Sequence, residues 1–167
     1  MTISLAEGFM DIALRLAREA GERGEVPVGA VVVLDGKVVG RGSNRVIETS
    51  DPTAHAEIGA LRSAGAAAGN YRIPGATLYA TLEPCAMCAG AMVHARLDRL
   101  VYGCADPKTG AAGSVFAITG DPRLNHQLHV TGGVRSRDAS RLLRDFFGER
   151  RDATGSGHAV PNPDISL

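Results

Sequence analysis

Two apolar, β-branched runs on either side of Asp35-Gly36 constrain the fold of this chain more than any other feature. The run "VPVGAVVVL" precedes the dipeptide, and "KVVGRGSN" follows it. An Asp-Gly pair between such runs is a strong signal for a β-hairpin, because the tight turn between two antiparallel strands favours these residues. Residues 26–44 are therefore predicted to form two paired strands.

Helical and strand patterns alternate along the rest of the chain. Apolar side chains recur at helical spacing over residues 5–23, which predicts an opening helix. Three further helices are predicted over residues 54–68, 85–96 and 136–152. Strands are expected in "GATLYATLEP", "DRLVYGCAD" and "HQLHVTGGV", and "PKTGAAGSVFAI" is a Gly-rich loop with a short helical piece. A hairpin followed by this alternation favours a three-layer α/β/α sandwich with a mixed five-stranded sheet.

The length of 167 residues suggests a single domain, and the apolar patterns place it in residues 1–152. The remaining segment, 153–167, mixes Gly, Ser, Pro and Asn with little core material, so it is expected to be disordered or loosely attached. The N-terminus has acids inside its apolar pattern and no basic leader, and no apolar run is long enough to span a bilayer. These features predict a soluble, cytoplasmic protein with no membrane partner.

The charge of the chain is neutral overall but uneven. Eighteen basic residues balance eighteen acidic ones, so the bulk charge does not support nucleic-acid binding. Residues 96–151, however, hold ten basic residues against six acidic ones. Most of the basic residues are arginines, which bind phosphate and stack on bases better than lysines do. The alternative interpretation is a solvated helix face.

Cys85 and Cys88 stand three residues apart, just after Pro84, where a helix is predicted to begin. A count of three cysteines, without a signal peptide, argues against a disulfide framework. In the first helical turn both thiols can reach one metal ion, and helix amides lower thiolate pKa there. With His55 as third ligand, two thiolates and an imidazole suit zinc and leave a fourth position for water.

Two other interpretations of this pattern remain open. The paired cysteines could simply pack against the core. The site could also be a closed structural zinc site in which Cys104 or His94 is the fourth ligand.

Glu57 follows His55 by two residues, at the start of the helix that Pro52 and a Thr53 cap are predicted to open. Residues two apart on a helix do not face each other, because they are rotated by roughly 200°. If the helix tip points at the metal, His55 can bind it while Glu57 approaches the bound water. Glu57 is therefore predicted to be a proton shuttle and not a ligand. A solvated helix glutamate is the alternative.

These motifs, H-A-E with P-C-x-x-C, together with "NYR" and "DPKTGAAGS", resemble those of the tRNA-specific adenosine deaminases. The resemblance covers roughly residues 5–152. It implies that residues 1–152 form a zinc-dependent deaminase domain with a cytidine-deaminase-like fold. The implied reaction is the deamination of adenosine to inosine at the wobble position of a tRNA anticodon stem-loop. The implied machinery is one zinc ion per subunit, a zinc-activated water and the Glu57 proton shuttle.

The resemblance also implies contacts to the RNA substrate. Asn44 matches an asparagine that holds the target nucleoside, and Asn125 matches one near the anticodon loop. The remaining substrate-binding candidates, in a groove-lining loop and the last helix, are Asp106, Lys108, Phe146, Arg150 and Arg151. Two departures, the small pair Cys104-Ala105 and the pair Gly148-Glu149, reduce the affinity expected for RNA. A homodimer would double the basic surface, and the helix "CAMCAGAMVHAR" is either its contact surface or buried core.

Two competing functions stay open on the sequence. A deaminase of free nucleobases or nucleosides, of guanine or cytosine type, would share the zinc, Glu57 and the fold. It would not need a basic C-terminal helix. A zinc-stabilised binding module without catalysis would instead have a closed site with four protein ligands.

Overall fold

A computed structural model describes residues 4–155 of the chain. The elements begin with α1 (Leu5–Glu22), β1 (Gly29–Leu34), β2 (Lys37–Ser43), α2 (Val46–Thr49) and α3 (Ala56–Ala68). They continue with β3 (Thr77–Leu82), α4 (Ala86–His94), β4 (Arg99–Cys104), a 3₁₀ turn (Ile118–Gly120), β5 (His129–Thr131) and α5 (Ser136–Gly155). None of the helices within residues 4–155 combines the length and the apolar character that crossing a bilayer requires.

The five strands form one mixed sheet in the order β2-β1-β3-β4-β5. β1 pairs antiparallel with both β2 and β3, whereas β3, β4 and β5 run parallel. One face of the sheet packs against α1 and α5, and the other packs against α3 and α4. Successive residues of β1 illustrate this, because Val31 packs towards α1 and Val32 towards α3. The predicted three-layer α/β/α sandwich with a mixed five-stranded sheet is confirmed.

The hairpin turn lies where the sequence predicts it. Asp35 and Gly36 both have positive φ, 50° and 72°, as a two-residue hairpin turn requires. The predicted cap of the next helix is wrong, since α3 begins at Ala56 with His55 as its N-cap. Thr53 instead donates from its amide and hydroxyl to Asp51 Oδ1, at 2.8 and 2.7 Å. This local turn competes with capping for the threonine hydroxyl.

Two further differences concern short or terminal structure. The four-residue helix α2 was not predicted. α5 continues to Gly155, three residues beyond the predicted boundary at 152. Residues 156–167, which make up the rest of the predicted tail, lie outside the described residues.

Close packing of β2 against α3 determines where the first turn of α3 lies. A Cβ atom built on Gly42 would be 2.0 Å from the Ala56 carbonyl oxygen and 2.5 Å from the Ala60 amide nitrogen. Only glycine permits this approach. It brings the N-terminus of α3 to the end of β3, where Glu83 and Pro84 lead directly into α4.

Candidate active site

Three side chains that can bind a metal ion meet where α3 and α4 begin. His55 and Cys85 are the N-caps of these helices and have extended backbones, while Cys88 lies in the first turn of α4. His55 Nδ1 lies 3.6 Å from Cys85 Sγ and 3.5 Å from Cys88 Sγ. All three ligand atoms lie within 4.8 Å of one another.

The spacing of this cluster fits a zinc ion. Zn–S and Zn–N bonds of about 2.3 and 2.0–2.1 Å, at a tetrahedral angle, separate sulfur and nitrogen by about 3.5 Å. The two sulfur–nitrogen distances here agree with that value. Two thiols and an imidazole are also the soft and borderline donors that zinc prefers. The chain therefore holds its three predicted ligands in position to bind the ion.

The pKa values within the cluster show how closely the two thiols interact. The pKa of Cys85 is lowered to about 4, chiefly by a hydrogen bond from the Cys88 thiol. The pKa of Cys88 is raised, because it donates that bond and is buried. The bond to Cys85 also raises the pKa of His55. A cation among the three would favour both thiolates and a neutral imidazole.

Neither residue considered as a fourth protein ligand joins the cluster. The Cys104 thiol donates to the Thr81 carbonyl oxygen at 3.7 Å and is buried beneath the sheet face covered by α1 and α5. His94 lies at the opposite end of α4 and lines a groove between α3 and α4. Within residues 4–155, the cluster of three is thus consistent with an open coordination position.

Glu57 lies in the first turn of α3, beside the cluster but outside it. Its side chain is only 4% exposed, and no described lysine or arginine pairs with it. Burial raises the pKa of its carboxyl group, against smaller lowering effects from a backbone amide and from His55. Its carboxyl group has hydrogen bonds to its own backbone amide and to the Cys88 thiol but no basic partner, and buried carboxyl groups of this kind in clefts are typical of functional sites. A solvated surface glutamate, the alternative interpretation, does not fit this burial.

Glu57 and two of the ligands, His55 and Cys85, line a cavity of about 300 Å³. Apolar side chains from several elements form much of its wall: Val26, Val28, Val46, Ile47 and Leu82. Its polar lining includes Asn44, Asp106 and Thr109 together with the buried acids Glu25 and Glu83. Apolar walls with a few convergent polar groups are typical of a small-molecule site.

Asn44 lines the cavity, and its side chain also binds the start of α3, the helix that carries Glu57. Its Oδ1 accepts a hydrogen bond of 2.9 Å from the Ala56 amide, so it satisfies one of the amides at the start of α3. No described residue accepts a hydrogen bond from Asn44 Nδ2. That amide group is therefore available to a ligand in the cavity.

The sequence did not indicate the role of Glu83, which fixes the loop over the cavity. This buried carboxylate accepts hydrogen bonds from the amides of Asp106, Ala112 and Ser114, at 2.9, 3.1 and 3.0 Å, and from the Ser114 hydroxyl. Burial alone would raise the pKa of Glu83, but these hydrogen bonds lower it below its usual value. The signal in the sequence that could have indicated Glu83 is its position immediately before P-C-x-x-C.

The other substrate-binding candidates divide between the cavity and its surroundings. Asp106 lines the cavity, and its carboxylate accepts hydrogen bonds from the Lys108 and Thr109 amides at 2.9 and 3.2 Å. Asn125 Oδ1 accepts from Arg96 at 2.8 Å, and Lys108 is exposed. The structure brings Asn44 and Asp106 to the cavity and leaves Lys108 and Asn125 outside its lining.

On α5, two of the three candidates, Phe146 and Arg150, contact each other, and Arg150 also binds the connection between α1 and β1. The Arg150 guanidinium lies 4.4 Å from the centre of the Phe146 ring and donates to the Gly24 carbonyl oxygen at 2.5 Å. Phe146 also contacts Phe147 edge to face, with ring centres 5.4 Å apart. Arg151 is exposed. Arg150 therefore fastens the end of α5 to the loop before β1.

Known proteins match this chain in both sequence and fold. Residues 3–104 match the cytidine and deoxycytidylate deaminase zinc-binding region. A tRNA-specific adenosine deaminase of Agrobacterium fabrum is 51% identical over 143 residues, which are 86% of this chain and 94% of that protein. A structure from a study of A-to-I editing by tRNA:A34 deaminases at the wobble position of transfer RNA matches with a TM-score of 0.79 and 50% identity, covering 81% of this chain and 99% of that one.

A more distant match is a structure of guanine deaminase from Nitrosomonas europaea, with a TM-score of 0.71 and 27% identity over 85% of this chain and 84% of that one. The identity to the Agrobacterium protein is nearly twice as high and extends over almost that protein's whole length. The chain therefore belongs to the tRNA-specific adenosine deaminases, within the wider family of zinc-binding cytidine and deoxycytidylate deaminases.

Proposed function

We propose that this chain is a zinc-dependent deaminase that converts adenosine to inosine at the wobble position of a tRNA anticodon in the cytoplasm. The observation that carries the proposal is the cluster of His55, Cys85 and Cys88, two of whose members line one cavity together with the buried Glu57. The choice of tRNA adenosine among deaminase substrates rests on the relatives that share about half of its residues.

The reaction replaces the amino group on C6 of adenine with oxygen from water. A C–O bond forms, the C–N bond breaks, and ammonia leaves. His55, Cys85 and Cys88 would hold a zinc ion, which would lower the pKa of a water molecule to about 7 and so activate it as a nucleophile. Glu57 takes one proton from the attacking water and delivers it to N1 of the ring, and then carries the other proton of that water to the departing amine. Its raised pKa suits a group that must both accept and donate protons.

The size of the cavity favours a single flipped-out nucleoside as the bound group. About 300 Å³ lies at the lower limit of typical ligand pockets, so a stacked anticodon loop would not fit. The target base must leave its stack, which costs least in a single-stranded loop. Inside the cavity, Asn44 Nδ2 would donate to the base or its ribose, while Val28 and Leu82 would contact the apolar faces.

A substrate comparison on one zinc-assayed sample tests this function. The protein would be incubated with an anticodon stem-loop carrying wobble adenosine, with the same stem-loop carrying guanosine there, and with free adenosine, guanine and cytidine. We expect inosine from the first substrate and little turnover of the others. Turnover of the free compounds alone would contradict the tRNA assignment and favour the free-base deaminase.

The proposed contact surface for the stem-loop lies outside the cavity. It consists of Lys108, Asn125, Phe146, Arg150 and Arg151. Arg151 is exposed and has no side-chain partner among the described residues, so it is the best test of this surface. Arg151→Ala should weaken stem-loop binding a few-fold and reduce the slope of log affinity against log salt by roughly 0.7–0.9, the value for one lost phosphate contact. Fluorescence anisotropy at several salt concentrations measures both. Arg41→Ala, an exposed arginine on β2, is the matched control, and an equal change in the two variants would contradict the assignment.

We also propose that the chain forms a homodimer through the groove between α3 and α4. Small and apolar side chains line this groove, including Ile58, Leu61, Ala66 and Ala91, and Tyr71 beside them is 70% exposed. Light scattering should give about twice the chain mass of 17.3 kDa. Tyr71→Asp should shift the mass towards one chain, whereas Phe116→Asp, which also replaces an exposed aromatic residue, should not. A wild-type protein with the mass of one chain would contradict the proposal.

A further inference from the structure

We propose that Glu25 is a positioning residue of the active site: its buried carboxylate holds α2 in place, and α2 forms one wall of the substrate cavity. Glu25 lies in the connection between α1 and β1 and is 2% exposed. It takes no part in the proton transfers assigned to Glu57 or in the ligand cluster. The kinetic part of this inference rests on the proposed function, whereas the structural part does not.

The carboxylate of Glu25 supplies the cap that α2 lacks in its own sequence. Its two oxygens accept hydrogen bonds from the amides of Ile47 and Glu48, at 3.2 and 2.8 Å. The N-cap residue of α2, Arg45, makes no side-chain cap. Amides at the start of a helix need such partners, and here a residue about twenty positions away provides them.

Among the described residues, the hydrogen bonds and ion pairs of α2 other than those with Glu25 and Arg23 come from its own stretch of chain. Arg45 pairs with Glu48 at 2.8 Å, and the Asp51 amide donates to the Val46 carbonyl oxygen at 3.2 Å. The helix has four residues, Val46–Thr49, and none of them is buried. A helix this short is not stable by itself. Val46 and Ile47 nevertheless line the cavity, so the position of this wall depends on the bonds that Glu25 accepts.

Arg23, two residues before Glu25, binds the part of the chain that directly precedes α2. Its Nη2 donates to Ser43 Oγ at 2.9 Å and to the Asn44 carbonyl oxygen at 3.3 Å, and its Nε lies 3.6 Å from a Glu48 carboxylate oxygen. These contacts are exposed to solvent, so each contributes little. The hydrogen bonds of Glu25 are stronger than those of Arg23, because the Glu25 carboxylate is buried away from water and a low local dielectric strengthens a hydrogen bond.

The chemistry of the contact requires a carboxylate. Each oxygen of Glu25 accepts one amide hydrogen, and glutamine of the same shape would present an NH₂ group to one of these donors. Glu25→Gln should therefore release one end of the α2 contact while the size of the side chain is preserved. Losing such a hydrogen bond to a charged group corresponds to about a ten- to hundredfold change in an equilibrium.

The test measures Glu25→Gln, Glu25→Asp and Glu22→Gln, the last being the same change at an exposed position at the end of α1. In Glu25→Gln we expect faster hydrogen exchange at the Ile47 and Glu48 amides and unchanged zinc content. We also expect a KM for the stem-loop that is about tenfold higher or more, with kcat changed less than threefold. Glu25→Asp keeps two acceptor oxygens, so its KM should lie between that of Glu25→Gln and that of the wild type. Glu22→Gln should match the wild type in every measurement.

Either of two results would overturn the inference. Unchanged exchange at Ile47 and Glu48 would mean that Glu25 does not hold α2. Faster exchange with an unchanged KM would mean that α2 does not position the substrate. Since exchange is measured without substrate, failure of the tRNA assignment would leave the first result interpretable. A variant that merely unfolds more easily would show a lower Tm without a selective rise in KM, which Glu25→Asp and the melting curves distinguish.

Discussion

Replacing Glu57 with glutamine is expected to abolish deamination while the zinc content stays at one ion per chain. Glutamine has nearly the same shape but cannot take up and release the protons that the reaction moves. General acid–base catalysis by one group is typically worth about a hundred- to ten-thousandfold, and Glu57 acts in both proton transfers. We therefore expect kcat to fall at least a thousandfold, measured as inosine formed in the wobble stem-loop.

Zinc should remain because Glu57 lies outside the cluster of His55, Cys85 and Cys88. The free energy of unfolding should not fall, since a neutral amide is cheaper to bury than a carboxyl group that becomes charged. Glu19→Gln, the same change at an exposed position of α1, should leave both activity and metal unchanged. Loss of zinc from Glu57→Gln would mean that the carboxylate is a ligand. An unchanged rate would assign the proton transfers to another group.

A zinc-stabilised binding module without catalysis predicts a different result from the same variant. In such a module Glu57 would have no reacting atoms beside it, and its replacement would change stability alone. The loss of turnover with full zinc content would exclude it. The burial of Glu57 next to an accessible cavity already favours the enzyme.

The sequence predicts those parts of the site whose geometry is set within a few residues. Cys85 and Cys88 are three apart at a helix start, which by itself places both thiols on one side of a single turn. The H-A-E spacing likewise separates ligand from shuttle without knowledge of the sheet. What brings His55 to the cysteines is the packing of α3 on Gly42 of β2, which no local pattern in the sequence predicts.

The residues that the sequence did not indicate act over long separations in the chain. Glu25 caps a helix that begins at Val46, and Glu83 binds amides between Asp106 and Ser114. Apart from the position of Glu83 just before P-C-x-x-C, such pairs leave no periodic or local pattern, because a buried acid resembles a surface acid until its partner is known. The sequence did not predict α2 for the same reason, because the carboxylate that caps this four-residue helix lies far away in the sequence.

Replacing Cys88 with serine is expected to remove the zinc, the activity and part of the stability together. A hydroxyl binds zinc far more weakly than a thiolate does, and Cys88 is fully buried between α4 and the sheet. A metal present at 100 to 1,000 times its dissociation constant stabilises the folded state by on the order of 3–4 kcal/mol. Its loss should lower Tm by on the order of 10 °C for a chain of this size. Metal analysis and thermal melting measure the two effects, and a chelator added to the wild type should reproduce the fall in Tm.

Cys104→Ser is the matched control, because it makes the same atomic change at another buried cysteine. The Cys104 thiol donates to the Thr81 carbonyl oxygen, and a serine hydroxyl can do the same. This variant should keep one zinc ion per chain and its activity, so a Tm close to the wild-type value is expected. If Cys104→Ser released the zinc, the site would be closed by a fourth protein ligand, and no position would remain for the water that deamination consumes. The pair of variants thus decides by metal content alone whether Cys104 is a fourth ligand that closes the site, before any substrate is tested.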